Sequence, residues 1–242
     1  MDPLPSYLDE FHARDNGAVR VTPDQASRFA KQVAGDFNPI HNPDAKRFCV
    51  PGDLLFCLVL NHYGVSPRMS FRFTSMVGAD VALRFSPSDE SRLSIQDEAG
   101  KTYLEVEREG EPSTDPQLIE SLTRDYAAFS GQNFPHILVP LMKQHNVMVN
   151  PQRPLVFYDS MSFAFDEWPA PAPSLRFSNA ELVVNGKRGD VALDFDLLAD
   201  EKVVGSGRKK LIISGLRPFE QAVMDDLVRQ YDGWKSDYQA TA

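Results

Sequence analysis

Cysteine is scarce in this sequence, and negative charge outweighs positive charge. Cys49 and Cys57 are the only cysteines among 242 residues. Two thiols suit a reducing compartment and are too few for a structural zinc site. The 25 Lys and Arg residues are outnumbered by 34 Asp and Glu residues, which gives a net charge of −9. Nucleic acids and anionic membrane surfaces select concentrated positive charge, so we expect neither as a partner.

Several other signals are missing. No apolar run approaches the ~20 residues of a membrane-spanning helix, and the N-terminal MDPLPSYLDEFHARD is acidic, without the apolar core of a secretion signal. The sequence also lacks a serine nucleophile elbow, a metal-binding motif and a dinucleotide fingerprint. Because 42% of the residues are hydrophobic and 16 are Phe, a real core can form. We therefore expect a cytoplasmic globular protein without a metal or redox cofactor.

The first half of the chain begins with helical patterns and continues with strand patterns. TPDQASRFAKQVAG predicts a helix with Thr22 as its N-cap, Pro23 as its first residue and Gly35 as its stop. After a loop over 36–50, the segment 51–64 is nearly all apolar, which predicts a buried helix. Four segments with a period of two follow, over 68–77, 79–87, 92–100 and 102–110, as is typical of antiparallel strands.

The second half repeats this order of elements. A Pro-, Ser- and Asp-rich linker over 109–117 precedes helical and then strand-like segments. DVALRF (80–85) recurs as DVALDF (190–195), and GDFNPIH (35–41) has a counterpart in GQNFPHI (131–137). Chance similarity between antiparallel strands is the alternative, but the shared order of elements favours two copies of one unit.

This repeat predicts how the chain is divided. We expect an N-terminal unit over 1–110, a C-terminal unit over 111–216 and a closing helix over 217–242. Each unit would wrap an antiparallel sheet of four to five strands around one buried helix. The two sheets would join side by side into a larger sheet, because joining leaves fewer exposed edges. The predicted class is α+β.

The clearest candidate for catalytic chemistry is GDFNPIH, in which Asp36 and His41 flank a rigid step from Asn38 to Pro39. A carboxylate and an imidazole held across such a loop can bind one water from two sides. Hydration of an activated double bond needs a base that takes a proton from water and an acid that protonates carbon. The structural alternative is a helix-ending turn, because Gly, Asp and Asn also make local backbone hydrogen bonds.

FAKQVAGDFNPIH resembles the hydratase motif of the MaoC-like family of (R)-specific enoyl-CoA hydratases, which have the hotdog fold. The positions that match residue by residue are Phe29, Ala30, Gly35, Asp36, Asn38, Pro39, Ile40 and His41. The resemblance is strong over 24–60, and beyond it only the order of elements matches. It implies a double hotdog, in which two antiparallel sheets each wrap a central buried helix and one half keeps the catalytic residues.

The resemblance also implies an activity. Asp36 and His41 would activate water for addition across an enoyl thioester, or dehydrate a 3-hydroxyacyl thioester, carried by coenzyme A or acyl carrier protein. Asn38 and Pro39 would support the motif. The N–H of Gly52, unpaired at the positive end of the buried helix, could stabilise the thioester oxygen. A glycine there would also let the thioester approach the backbone closely.

The second half lacks this chemistry. Gln132 stands at the position of Asp36 and cannot act as a general base, and Leu141 replaces the helix-opening glycine. His136 is one residue closer to Gln132 in the sequence than His41 is to Asp36. We expect this half to line the acyl-chain tunnel. The basic stretches 185–189 and 207–211 could meet a coenzyme A phosphate, but we interpret them as ordinary hairpin ends.

Two other functions stay open. A thioesterase on the same scaffold would use a carboxylate on the central helix, where Asp53 is available, although this acid also suits the helix N-terminus. A non-catalytic acyl-thioester-binding protein would fit the short stretch between His41 and the buried helix. The proline-rich 168–174 predicts a stiff spacer. The apolar stripe of the closing helix suits packing on the sheet or on a second subunit, so a homodimer is a further expectation.

Overall fold

The computed structural model describes residues 6–88, 92–168 and 172–241. Its strands are β1 Ala13–Asp15, β2 Ala18–Arg20, β3 Arg68–Phe73, β4 Arg84–Phe85, β5 Arg92–Gln96, β6 Thr102–Glu109, β7 Val147–Met148, β8 Leu155–Phe165, β9 Ser174–Asn185, β10 Arg188–Ala199, β11 Lys202–Ser214 and β12 Arg217–Pro218. Its α-helices are α1 Pro23–Arg28, α2 Gly52–Tyr63, α3 Pro116–Gly131, α4 Asn133–His136, α5 Leu138–Gln144 and α6 Gln221–Thr241. A π-helical segment, Phe29–Ala34, extends α1, and 3-10 turns cover Tyr7–Phe11 and Pro39–His41.

One sheet of eight strands, in the order β4-β5-β6-β3-β8-β11-β10-β9, organises the chain. Each neighbouring pair is antiparallel. β3 and β8 meet in the middle, with Phe71 opposite Met161. Each half contributes four strands to this sheet. Counted in chain order within each half, they lie outward from the seam as first, fourth, third and second. The α+β double-hotdog fold predicted from the sequence is confirmed, and the unit boundaries at residues 110 and 216 stay a prediction.

α2 is the central helix of the first half and is buried as predicted. Every side chain from 54 to 60 is buried, and the helix ends before Gly64, whose φ of 81° suits glycine. Phe56 packs edge-on against Phe71 of β3 and Phe163 of β8, with ring centroids 4.9 and 6.5 Å apart. Burying a side chain of this size contributes about 1.5–3 kcal/mol, so α2 holds the two halves of the sheet at their seam.

A second core lies under the C-terminal half of the sheet. Met142 of α5 is fully buried and shares this core with Leu193 of β10 and Ile213 of β11. Met224 and Leu227 of α6 pack against the same core, so the apolar stripe of the closing helix is used within its own chain. None of the helices in the described ranges is long and apolar enough to cross a membrane.

The edge of the first half differs from the sequence expectation. The strand predicted over 79–87 shrinks to β4, because Asp80 turns the chain with a φ of 56° and the residue before β4 pairs with β2 instead. The spacer predicted over 168–174 includes 169–171, which lie outside the described residues.

Candidate active site

Local hydrogen bonds shape the loop that carries the candidate catalytic pair. The helix before it ends at Gly35, whose φ of 68° suits glycine, as predicted. Asp36 Oδ1 accepts a hydrogen bond from the N–H of Asn38 at 2.8 Å, and Asn38 Oδ1 accepts one from the N–H of Ile40 at 3.2 Å. The turn chemistry of GDFNPIH is therefore present, and it engages one carboxylate oxygen of Asp36.

Asp36 and His41 come together across this turn. His41 Nε2 lies 3.5 Å from Asp36 Oδ2, because the 3-10 turn that begins at Pro39 brings the histidine back toward the carboxylate. His41 Nδ1 lies 2.7 Å from the carbonyl oxygen of Cys49. Since a carbonyl oxygen only accepts, Nδ1 carries a proton. The short stretch 42–51 thus fixes the ring with Nε2 toward Asp36.

The charge of Asp36 favours the imidazolium form of His41. Burial by itself lowers the pKa of His41, but the hydrogen bond and charge of Asp36 oppose it. The Cys49 carbonyl and the charge of Asp53 act in the same direction, so the pKa of His41 is raised above its ordinary 6.5. With Nδ1–H bound to the carbonyl oxygen, a second proton at Nε2 faces the carboxylate of Asp36. The pair can therefore offer an acid and a base side by side.

Both side chains line a cavity of about 1070 Å³. A volume of this size is ample for a small-molecule ligand. Apolar walls come from both halves of the chain and include Leu55, Phe73, Phe134, Leu138, Met142 and Leu211. Lys46, Arg47 and Arg153 also line the cavity and are exposed. The second half therefore contributes walls to the cavity, as expected.

Gly52 lies on the same cavity wall, at the first position of α2. Its N–H has no acceptor within the helix, because the first amides of a helix lack one. A Cβ atom on Gly52 would lie 2.6 Å from Cδ1 of Tyr158 and 3.3 Å from Cε1 of Phe73. These two rings stack with centroids 4.1 Å apart. The space left by the missing side chain is thus occupied by Tyr158, a reason for glycine that the sequence did not suggest.

Replacing Gly52 by Ala is expected to destabilise the fold by about 1–3 kcal/mol, because the new methyl group would displace the packed Tyr158 ring. The natural comparison is Gly78→Ala, since a Cβ atom there meets nothing within 4 Å. Urea unfolding of both variants measures the difference. In open space a helical Gly→Ala change stabilises, so a gain in stability at Gly52 would contradict the packing described.

A second charged group, formed by Asp53, Ser130 and Lys209, is buried on the cavity wall. Lys209 of β11 is 4% exposed, and Asp53 of α2 is 7% exposed. The Lys209 ammonium donates to Ser130 Oγ, and Ser130 donates to Asp53 Oδ2 at 2.6 Å. Lys209 Nζ also lies 3.5 Å from Asp53 Oδ1. Burial raises the pKa of Asp53 and lowers that of Lys209, and each partner's charge opposes the effect of burial on the other.

The interpretation of 207–211 as an ordinary hairpin end is wrong, because this stretch lies in the middle of β11 and Lys209 within it is buried. Arg208 and Lys210 are exposed, but the side chain between them points inward. The signal was present in the sequence: Leu211 and Ile213 alternate toward the core, and the same period of two places Lys209 on their face. Three consecutive cations hid this alternation.

The positions equivalent to the catalytic pair in the second half lie elsewhere. Gln132 and His136 are both exposed, and the neighbouring Asn133 and Phe134 line the cavity instead. Among residues 6–88, 92–168 and 172–241, no cluster of three or more His, Cys, Asp or Glu side chains could hold a metal ion.

The sheet order defines a double-hotdog protein, and the cavity lined by Asp36 and His41 is its candidate active site. A family model described as "Protein of unknown function (DUF3581)" matches residues 6–222, so the chain belongs to the DUF3581 family. A comparison with curated proteins finds no match.

Several solved structures are similar to this chain. One is a conserved protein of unknown function with a hot dog fold from Alicyclobacillus acidocaldarius, with 9% identity and a TM-score of 0.47 over 87% of this chain and 98% of that one. A MaoC-like dehydratase has 8% identity and a TM-score of 0.42 over 83% and 97%. An acyl-CoA thioesterase II from Mycobacterium marinum has 9% identity and a TM-score of 0.41 over 88% and 98%.

Proposed function

We propose that this protein is a hydratase or dehydratase acting on enoyl and 3-hydroxyacyl thioesters. The observation that carries the proposal is the meeting of Asp36 Oδ2 and His41 Nε2, 3.5 Å apart, on the wall of a large and mostly apolar cavity. A base and an acid in such a place suit a reaction that adds water to an apolar chain. The motif's resemblance to (R)-specific hydratases points to the same chemistry.

The proposed hydration begins with a water held by both side chains. The water oxygen attacks the β-carbon of the enoyl thioester while Asp36 takes one of its protons. The Nε2–H of the His41 imidazolium then protonates the α-carbon. Transfer of the proton from Asp36 to His41 restores the pair, so the net change is the addition of one water. Dehydration is the same path in reverse.

Charge builds on the thioester oxygen during this reaction and needs donors fixed in advance. The N–H of Gly52, at the positive end of α2, is the proposed backbone donor. The apolar walls would hold the acyl chain. Lys46, Arg47 and Arg153 would face the phosphate of the carrier, whether coenzyme A or acyl carrier protein. The expected cytoplasmic location and homodimer belong to this proposal and stay predictions.

A thioesterase is the second candidate, and it rests on Asp53. This carboxylate lies on the same cavity wall, in the first turn of the central helix, where it could activate a water for hydrolysis. Its two oxygens are, however, already close to Ser130 and Lys209. A base engaged in this way has less freedom to accept a proton from water, so we place this candidate second.

Incubating the purified protein with trans-2-butenoyl-CoA and trans-2-decenoyl-CoA tests the proposal. We expect enoyl absorbance to fall without release of free thiol, and the product to be the 3-hydroxyacyl thioester by mass spectrometry. Butanoyl-CoA serves as the control substrate, because it carries a thioester but no double bond. Release of thiol from it would identify a thioesterase. Saturable binding without turnover, surviving both Asp36→Asn and His41→Gln, would identify a binding protein.

A further inference from the structure

The buried ammonium of Lys209 has no part in the proton transfers described above. It comes from β11 of the second half, which has no Asp–His pair of its own, and it lines the same cavity as Asp36 and His41. Burying a charge is costly unless it is paired and hydrogen-bonded. The neighbouring carboxylate of Asp53 supplies the opposite charge.

Its hydrogen bonding is incomplete. An ammonium group has three N–H donors and no acceptor. Within the described ranges of the chain, Lys209 makes one hydrogen bond, to Ser130 Oγ. Asp53 Oδ1 is 3.5 Å away and has no hydrogen-bond partner of its own, whereas a charge-assisted bond is about 2.7–2.9 Å long. The ring of Tyr158 lies with its centroid 4.1 Å from Nζ. Two of the three N–H donors therefore lack an oxygen acceptor at the length of a charge-assisted bond, so the ammonium can bind a further oxygen.

The position of the ammonium suggests which oxygen that is. Asp53, its ion-pair partner, directly follows Gly52, whose N–H is the proposed donor to the thioester oxygen. Tyr158 touches both groups, since its ring occupies the space beside Gly52 and lies under Lys209 Nζ. The ammonium and the start of α2 therefore border the same part of the cavity.

We infer that Lys209 binds the carbonyl oxygen of the acyl thioester and, with the Gly52 N–H, stabilises the negative charge that forms on it. The inference takes its ligand class from the proposed function. A cation is a stronger partner for a developing oxyanion than a neutral amide. Asp53 and Ser130 hold the ammonium in place. On this view the second half supplies a catalytic residue in addition to a wall.

The first test measures binding and needs no turnover. Calorimetry would compare butanoyl-CoA with S-butyl-CoA, the thioether that lacks the carbonyl oxygen. The wild type is expected to bind the thioester about tenfold more tightly or better, as for one hydrogen bond to a charged group. In Lys209→Met most of this preference should be lost, and what remains is the contribution of the Gly52 N–H. Lys210→Met is the matched control, because that neighbouring side chain is exposed on the other face of the strand.

A second variant keeps the test decisive if Lys209→Met does not fold. Lys209→Met/Asp53→Asn removes both charges, and Ser130 can still donate its hydrogen bond to the amide oxygen at position 53. The double variant should therefore fold and show the same reduced carbonyl preference. With an enoyl-CoA substrate, its kcat/KM should fall by about 10²–10³-fold, the usual cost of one oxyanion donor. A wild-type preference that persists in this double variant would overturn the inference.

The two proposals fail in distinguishable ways. No enoyl turnover, together with a carbonyl preference that depends on Lys209, would overturn the hydratase and support the inference. Turnover by a wild type that binds thioester and thioether equally would do the opposite. Failure of the wild type to bind either compound would overturn both.

Discussion

Asp36→Asn is expected to lower kcat for enoyl-thioester hydration by about 10²–10⁴-fold, the usual contribution of a general acid or base. The amide keeps the shape of the side chain and can still accept the hydrogen bond from the N–H of Asn38. It cannot take a proton from water. The fold should therefore survive while the chemistry is lost, and KM should change much less than kcat. Steady-state kinetics on the enoyl-CoA substrate measures both.

Asp44→Asn is the matched control for this variant. It makes the same chemical change in the same loop, but Asp44 is exposed and does not line the cavity. We expect wild-type kinetics from it. If Asp44→Asn and Asp36→Asn lost activity equally, the loss would come from the charge of the loop as a whole, and Asp36 would have no special role.

The same variant also tests what sets the pKa of His41. The pKa of His41 is raised above 6.5 against the effect of burial, chiefly by the hydrogen bond and charge of Asp36. The imidazolium is the proposed acid, so hydration should decline as pH rises through this raised pKa. In Asp36→Asn the main opposing cause is gone, and NMR titration of the ring should give a lower pKa. An unchanged value would contradict the pairing.

The raised pKa of His41 also determines how the stability of the fold changes with pH. A histidine whose pKa is higher in the folded state than in the unfolded state binds more protons when folded. Its stabilising contribution is complete below the unfolded value of about 6.5 and is lost as pH rises through the folded value. The difference in stability between wild type and Asp36→Asn should therefore be larger below neutrality than above it.

Much of the first half followed from local rules. The helix that starts at Pro23 and stops at Gly35 could be predicted because an N-cap and a left-handed glycine act over a few residues. The unbroken apolar run 54–60 predicted the buried α2 because no exposed face remained for it. The period of two predicted strands because alternate side chains of a strand point to opposite faces of the sheet. The sequence predicted that the two sheets would join, but not that β3 and β8 form the seam.

The candidate site could be predicted only where its parts are neighbours in sequence. Asp36 and His41 are five residues apart, so a turn sufficed to bring them together. Lys209 reaches the same cavity from β11, far along the chain, and its partner Asp53 lies on α2. Their meeting depends on the register of the sheet and on the joining of the halves. Tyr158, which fills the space beside Gly52, was missed for the same reason.

Lys209→Met by itself is expected to lower the free energy of unfolding by about 3–5 kcal/mol, because it leaves the carboxylate of Asp53 buried without a counter-charge. The double variant Lys209→Met/Asp53→Asn should recover most of this loss, since no buried charge is then left unpaired. Urea unfolding of wild type, both single variants and the double variant closes the cycle. Equal losses in Lys209→Met and in the double variant would mean that the packing of the lysine stem, rather than the unpaired charge, is what matters.

The pH dependence of Lys209→Met gives an independent check on the same pair. The ammonium lowers the pKa of Asp53 against the opposing effect of burial, so removing it should raise that pKa further. A carboxyl whose folded pKa exceeds its unfolded value binds more protons when folded, and stability then increases as pH falls. Lys209→Met should regain stability as pH falls through the raised pKa, because protonation removes the uncompensated charge. Lys210→Met should follow the wild type throughout, and a Lys209→Met variant that did the same would show that Asp53 is not held as a buried anion.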